Sequence, residues 1–187
     1  MVAYDQYYQT ENLFGKPYPE LMKFFDQFPK KGKVLDVGCG QGRDAVPIAG
    51  MGYSVVGIDN SKVGIDQMNQ IAKNKNLDLS GKIADIYTFD QFYEFDIILL
   101  DSIFHFAKKD KEKEQDLIRK ILNELRKGAI LIICIQDTGK KVATLNVTLD
   151  YKVTLVRLED RKLIYTYQDQ ESGHKSETNY RMIVVQK

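Results

Sequence analysis

The chain has 187 residues, the length of one ordinary domain, and 43% of them are apolar, enough to fill a core. Its 27 Lys and Arg nearly match its 26 Asp and Glu, leaving a formal charge of +1 and no long block of either sign. This balance argues against a nucleic-acid partner, no apolar run approaches the roughly 18 residues of a membrane span, and two isolated cysteines supply neither a disulfide framework nor a metal-site spacing.

The first residues, MVAYDQYYQTENLF, lack the basic start and apolar run of a secretory signal, and the unpaired cysteines imply a reducing compartment. A cytoplasmic protein is expected. This N-terminal arm carries Tyr4, Tyr7, Tyr8, Phe14 and Tyr18, and leads into a predicted helix, Pro19–Phe28, whose Phe24, Phe25 and Phe28 suit a core. Apolar runs then alternate with amphipathic segments, the pattern of βαβ units and a mostly parallel sheet. The predicted strands are Lys33–Val37, Ser54–Ile58, Lys82–Ala84, Phe95–Leu100 and Ile130–Ile135. Three are nearly continuous runs of Val, Ile and Leu, as expected of strands covered on both faces.

Between these strands the 3.6-residue period marks helices. Asn60 or Ser61 can cap one whose Ile65, Met68, Ile71 and Ala72 share a face. Asp110 can cap another with the stripe Leu117, Ile118, Ile121, Leu122 and Leu125, ended by Gly128. A helix starting near Arg43 contains Pro47 about four residues in, which predicts a slight kink. The last third reads as an antiparallel meander of short strands: Tyr151–Leu158, Lys162–Gln168 and Asn179–Gln186. A tight turn at Glu159–Arg161 and a polar loop with Glu171, Ser172 and Gly173 would join them. The organisation expected is a single domain: arm and helix over 1–30, a βα core over 31–137 and the meander over 138–187.

The chemistry concentrates in KVLDVGCGQGRD, residues 33–44. An apolar strand runs into Gly38, Gly40 and Gly42 and then a helix, so a ligand can touch the backbone and the helix N-terminus. A pyrophosphate dinucleotide calls for G-x-G-x-x-G. Here the spacing is G-x-G-x-G, and Asp36 stands two residues before the first glycine. A carboxylate there suits an ammonium or sulfonium group better than a diphosphate. Asp59 ends the next strand, 21 residues after Gly38, where it could accept both hydroxyls of a ribose or serve as a helix cap.

The segment VLDVGCGQGRDAVPIAGMGYSVVGID resembles motifs I and II of class I S-adenosylmethionine-dependent methyltransferases, and with the later strands the resemblance extends over about residues 30 to 137. It implies an α/β, Rossmann-like sheet of seven strands ordered 3-2-1-4-5-7-6, the last strand pair antiparallel and helices on both faces. The meander suggests an extra edge strand, Tyr151–Leu158, in place of the usual last helix. The resemblance also implies S-adenosyl-L-methionine as cofactor. Asp36 and the Gly38 backbone would hold the methionine amino group, Gly40 and Gly42 would leave room, and Asp59, with Asn60 beside it, would bind the ribose. Asp85 would meet the adenine amino group, Ile86 would pack on the ring, and Arg43 would reach the methionine carboxylate or remain a surface residue. Asp101 and Ser102 would border the sulfonium.

Methyl transfer needs alignment above all, with a base only when the acceptor arrives protonated. His105, after the fourth strand, and His174, in the last loop, are the candidates, each also readable as a structural or solvated histidine. A tyrosine of the arm could lie over the sulfonium as a lid. The size is similar to that of small methyltransferases of the tellurite-resistance and thiopurine type, and a small-molecule acceptor is expected, with no nucleic acid, membrane or metal. Two alternatives stay open: an NAD(P)-dependent oxidoreductase, and a protein that binds the cofactor without turning it over.

Overall fold

The computed structural model describes residues 5, 7–10, 13–151, 154–168 and 175–187. Its strands, β1 (Lys33–Val37), β2 (Ser54–Asp59), β3 (Leu79–Ile83), β4 (Ile97–Asp101), β5 (Ile130–Gln136), β6 (Val156–Gln168) and β7 (Lys175–Gln186), follow the order β3-β2-β1-β4-β5-β7-β6. The chain falls in two compact units, residues 1–100 and 101–187.

The first unit begins with α1 (Pro19–Gln27), whose Leu21, Phe24 and Phe25 are buried. Phe25 meets Tyr53 edge to face at 5.2 Å, and the Tyr53 hydroxyl donates to the Phe25 carbonyl at 2.7 Å, so the helix is fixed by packing and by a satisfied buried polar group. Then come β1 (Lys33–Val37), α2 (Ala45–Gly50), β2 (Ser54–Asp59), α3 (Lys62–Lys75), β3 (Leu79–Ile83) and β4 (Ile97–Asp101). β1 pairs in parallel with β2 and β4, and β2 pairs in parallel with β3. Val34, Leu35, Ile58 and residues 97–100 are almost fully buried, which is why these strands read as unbroken apolar runs. β3 departs from that rule. It lies at Leu79–Ile83 rather than 82–84, and only Leu79 is buried, so an edge strand that buries one side chain leaves little apolar signature.

One helix expectation is corrected here, and one choice between two caps is decided. α2 has six residues and starts at Ala45, not near Arg43. Pro47 is therefore the third residue of its first turn, where a backbone N–H has no intrahelical partner to lose, so no kink is needed. α3 is capped by Ser61, whose hydroxyl accepts from the Gly64 N–H at 3.2 Å, not by Asn60. Ile65, Met68 and Ala72 are buried, and Ile71 is half-buried.

The second unit holds α4 (Lys111–Glu124), β5 (Ile130–Gln136), α5 (Gly139–Leu149), β6 (Val156–Gln168) and β7 (Lys175–Gln186). All five residues of the predicted α4 stripe are buried, and Gly128 follows with φ +84°. Asp110 occupies the N-cap position, but its side chain makes no capping hydrogen bond. β7 runs antiparallel to both β5 and β6, so β6 is parallel to β5, as the resemblance implied.

The three-strand meander is wrong in two places. Residues 139–149 form α5, so the usual last helix is present, and there is no eighth strand among the described residues. The proposed turn at Glu159–Arg161 is instead a strand interior: β6 runs from Val156 to Gln168 with a register shift between Arg157 and Glu159. A bulge absorbs the extra residue and bends the strand without reversing it. The predicted loop at 171–173 and His174 lie outside the described residues.

Candidate active site

β1 delivers the chain into three glycines with left-handed backbones: Gly38 (φ +75°), Gly40 (φ +52°) and Gly42 (φ +83°). Both Gly38 and Cys39 donate their N–H to the Ile58 carbonyl, at 2.8 and 3.1 Å, which ties the loop to the end of β2. The glycines also meet a packing demand. A Cβ on Gly42 would lie 2.6 Å from Met68 Cγ, and one on Gly40 would collide with the Tyr8 hydroxyl.

Asp59 ends β2 and is 9% exposed. Its Oδ2 accepts from the Gly40 N–H at 3.0 Å and its Oδ1 from the Ser61 N–H at 2.8 Å. The carboxylate is thus oriented by the glycine loop on one side and the start of α3 on the other. The choice between ribose ligand and helix cap resolves into a shared arrangement: Ser61 caps the helix, and Asp59 holds Ser61. Each oxygen keeps a second lone pair. Asn60, next to it, is exposed.

Asp36 is 3% exposed within β1, opposite Gly57 of β2 and Leu99 of β4. Its charge is felt by Cys39. Burial pushes the Cys39 thiol well above its ordinary value, and the negative charges of Asp36, Asp59 and Asp44 push it further the same way. Three carboxylates thus put negative charge around the loop, secondary to burial in their effect on the thiol. That field suits a cationic ligand and opposes a diphosphate.

The remaining sequence candidates are more dispersed. Arg43 pairs with Asp44 at 2.8 Å, with its guanidinium 5.5 Å from the centre of the Tyr18 ring. Asp85 is exposed after β3, where its Oδ1 accepts from the Tyr87 N–H at 2.9 Å, and Ile86 is half-buried. Asp101 ends β4, is 8% exposed and accepts from the Ser102 hydroxyl at 2.6 Å. His105 is exposed on the following loop.

Several contributors escaped sequence reasoning. Gly57 gives Cys39 room, since a Cβ there would lie 2.7 Å from the sulfur; Gly64 lets α3 approach the loop, its virtual Cβ 2.8 Å from the Gly40 carbonyl oxygen. An isolated glycine in the first turn of a helical pattern was the available signal. The N-terminal arm is tied to the same place. Asp5 accepts from the Ser61 hydroxyl at 2.6 Å, Gln67 donates to the Tyr8 carbonyl at 2.9 Å, and Gln41 donates to the Thr10 carbonyl at 2.8 Å. Tyr8 and Tyr18 are 4% and 3% exposed, whereas Tyr7 is 62% exposed; Tyr4 lies outside the described residues.

Residues 29–180 match the methyltransferase domain family. The chain belongs to the class I S-adenosylmethionine-dependent methyltransferases. That membership removes the dinucleotide oxidoreductase alternative. The chain is 29% identical over 125 residues to 2-heptyl-1-hydroxyquinolin-4(1H)-one methyltransferase of Mycobacteroides abscessus, covering 66% of this chain and 54% of that protein. It is 34% identical over 121 residues to the ubiquinone biosynthesis O-methyltransferase of Pelagibacter ubique, covering 64% and 45%. The chain thus spans about half the length of these relatives. The crystal structure of TehB from Haemophilus influenzae superposes with a TM-score of 0.73 at 18% identity, covering 98% of this chain and 65% of that one, a likeness of fold. Among the described residues, no helix is long and apolar enough to cross a membrane, and no group of three or more His, Cys, Asp or Glu could hold a metal ion.

Proposed function

We propose that the chain is a working methyltransferase domain that moves a methyl group from S-adenosyl-L-methionine to a small-molecule acceptor in the cytoplasm. The observation that carries this reading is the Asp59 carboxylate, held at the tip of β2 by the Gly40 and Ser61 amides inside a negatively charged glycine loop. The acceptor class is supported by the relatives, whose names include a hydroxyquinolone and a step of ubiquinone biosynthesis.

In this reading Asp59 takes the ribose hydroxyls on its remaining lone pairs, with exposed Asn60 beside it. Asp36 and the Gly38 backbone take the methionine amino group, and Gly40 and Gly42 keep side chains out of its way. Asp85 faces the adenine amino group and Ile86 its ring. Arg43 reaches the methionine carboxylate by giving up part of its pairing with Asp44. The cofactor supplies an electrophilic methyl on a positively charged sulfur. Transfer breaks the carbon–sulfur bond, leaves its electron pair on a neutral sulfur and forms the bond to the acceptor, so the protein chiefly aligns the partners. Asp101 and Ser102 border that point, and His105 or His174 takes the proton of an acceptor that arrives protonated.

The arm acts as a lid over this crevice, with Tyr8 laid against Gly40 and fastened through Asp5, Gln41 and Gln67. Calorimetry with S-adenosylmethionine, S-adenosylhomocysteine and NAD tests the cofactor; the first two should bind and NAD should not. Released S-adenosylhomocysteine over a panel of phenols, thiols and amines tests turnover, and binding without release would leave a non-catalytic cofactor-binding protein. Removing residues 1–17 should weaken cofactor affinity while the domain still melts cooperatively; unchanged affinity would discard the lid.

A further inference from the structure

The loop after β4 is held by a buried carboxylate that the proposed methyl-transfer reading does not use. Glu114, in the first turn of α4, is 4% exposed. Its Oε1 and Oε2 each accept from the His105 N–H at 3.3 Å, and its Oε2 accepts from the Phe106 N–H at 2.6 Å. An anion there is favoured by the nearby helix N-terminus, but its partners are amides of a loop, so it spends its charge on holding that loop.

The loop needs holding. Ser102 and Phe106 have left-handed backbones, φ +62° and +48°, a region that a non-glycine side chain disfavours, most of all a bulky one. Four other anchors fix the same stretch. The Ser102 N–H donates to the Cys134 carbonyl at 2.9 Å, the Ser102 hydroxyl binds Asp101, Phe104 is buried, and the Phe104 and Phe106 rings stack at 6.0 Å. Between these anchored residues His105 alone is left exposed. The loop leaves the carboxyl end of a parallel strand, the place where open α/β sheets put their ligands.

We propose that Glu114 is a positioning residue for the methyl acceptor: by gripping the His105 and Phe106 amides it holds the loop after β4 in the one form that presents His105 to the acceptor. The assignment rests on the methyltransferase reading above. Glu114 touches neither acceptor nor cofactor; it acts through the backbone of the loop.

The test compares wild type, E114A and E114Q, with 4-nitrophenol, 2-nitro-5-thiobenzoate and benzylamine as phenol, thiol and amine probes. Turnover is read as released S-adenosylhomocysteine, cofactor affinity by calorimetry, and the grip by amide hydrogen exchange at residues 105 and 106. E114A should lose the exchange protection and at least about tenfold in kcat/KM for the best probe, while cofactor Kd stays within about twofold. E114Q keeps one accepting oxygen and the side-chain shape, so it should fold like wild type and recover part of the loss. Should E114A not fold, E114Q alone carries the comparison, with an expected loss of about threefold or more in kcat/KM and faster exchange at residue 106. Equal kcat/KM in wild type and both variants overturns the assignment and leaves the methyltransferase reading intact, as does a parallel fall in cofactor affinity, which marks a general structural role. A wild type that binds S-adenosylmethionine but releases no product with any probe overturns the turnover reading itself and this assignment with it.

Discussion

The loop after β1 and the loop after β4 both contain left-handed backbone, and they reach it by opposite means. Gly38, Gly40 and Gly42 adopt it with no Cβ to clash. Ser102 and Phe106 adopt it against a cost of about 1–2 kcal/mol each, which hydrogen bonds to a charged group, typically about 1.5–3 kcal/mol, can offset. In the first loop the conformation is written into the residues that adopt it. In the second it is imposed from outside, at Phe106 by Glu114, eight positions further along the chain, and at Ser102 by the Cys134 carbonyl. A glycine loop announces itself in a sequence; a loop held from outside does not.

The sharpest way to break that contrast is to add a methyl group to the first loop. G42A places a Cβ 2.6 Å from Met68 Cγ at φ +83°, combining left-handed strain with overpacking, and should cost about 2–4 kcal/mol in urea unfolding. A loss below about 1 kcal/mol would mean that the loop relaxes easily and that its glycines are not structurally required. Next in size is D59N, which removes the charge gripped by Gly40 and Ser61 and turns an amide donor toward one of two donors. S-adenosylmethionine affinity should fall about 30-fold, or roughly 2 kcal/mol. Calorimetry showing wild-type affinity would separate the carboxylate from cofactor binding.

A third measurement probes the glycine loop through its buried thiol. The Cys39 thiol is raised by burial first and by Asp36, Asp59 and Asp44 after it, so its reactive thiolate appears only at higher pH than in an ordinary cysteine. Iodoacetamide at pH 8 should modify it at least about tenfold more slowly than in the unfolded chain. D44N should narrow that gap by removing one of the charges. Rapid labelling of the native protein would contradict the burial of Cys39, and an unchanged rate in D44N would remove Asp44 from the charges that act on the thiol.

The smallest effect belongs to the far edge of the second unit. Asp160 is held below the usual carboxylate range, chiefly by its hydrogen bond to Arg181 and also by Arg157. A depressed carboxyl adds stability that is present above its unfolded pKa, near 4, and is lost as pH falls through the lower folded value. Both partners are partly solvated, so D160N should cost less than about 1 kcal/mol at pH 7, and the difference should shrink as pH falls below the ordinary carboxylate range. A difference that persists undiminished in acid would assign the effect to packing instead.

The same contrast explains what the sequence did and did not disclose. β1 falls at Lys33–Val37 as expected, and α4 buries its entire predicted stripe, because both bury a regular row of apolar side chains. α5 was hidden by its composition. Val142, Thr144, Val147 and Thr148 are β-branched and lower helix propensity, while the helix depends on Thr138, which accepts from the Lys141 N–H at 3.3 Å, and on burial of Leu145 and Leu149. Glu159, Asp160 and Arg161 read as a turn because they are charged. They are instead part of an outer strand on which Leu163 is the buried residue among those whose side chains are described, and charge is what such an edge needs to deter pairing with another chain. In the site, Asp36, Asp59 and the glycines were legible because spacing and chemistry coincide within one stretch. Tyr8, Gln41, Gln67 and Glu114 act through contacts 8 to 59 residues distant in sequence, and residue type alone does not reveal such partners.

Asp59 carries one further consequence. A side chain already clasped by two amides has surrendered its torsional freedom before any nucleoside arrives, so docking a sugar there requires little new ordering. Recognition at that corner should then resemble a key meeting a cut lock, and slow steps in ligand exchange should trace to movement of the tyrosine arm.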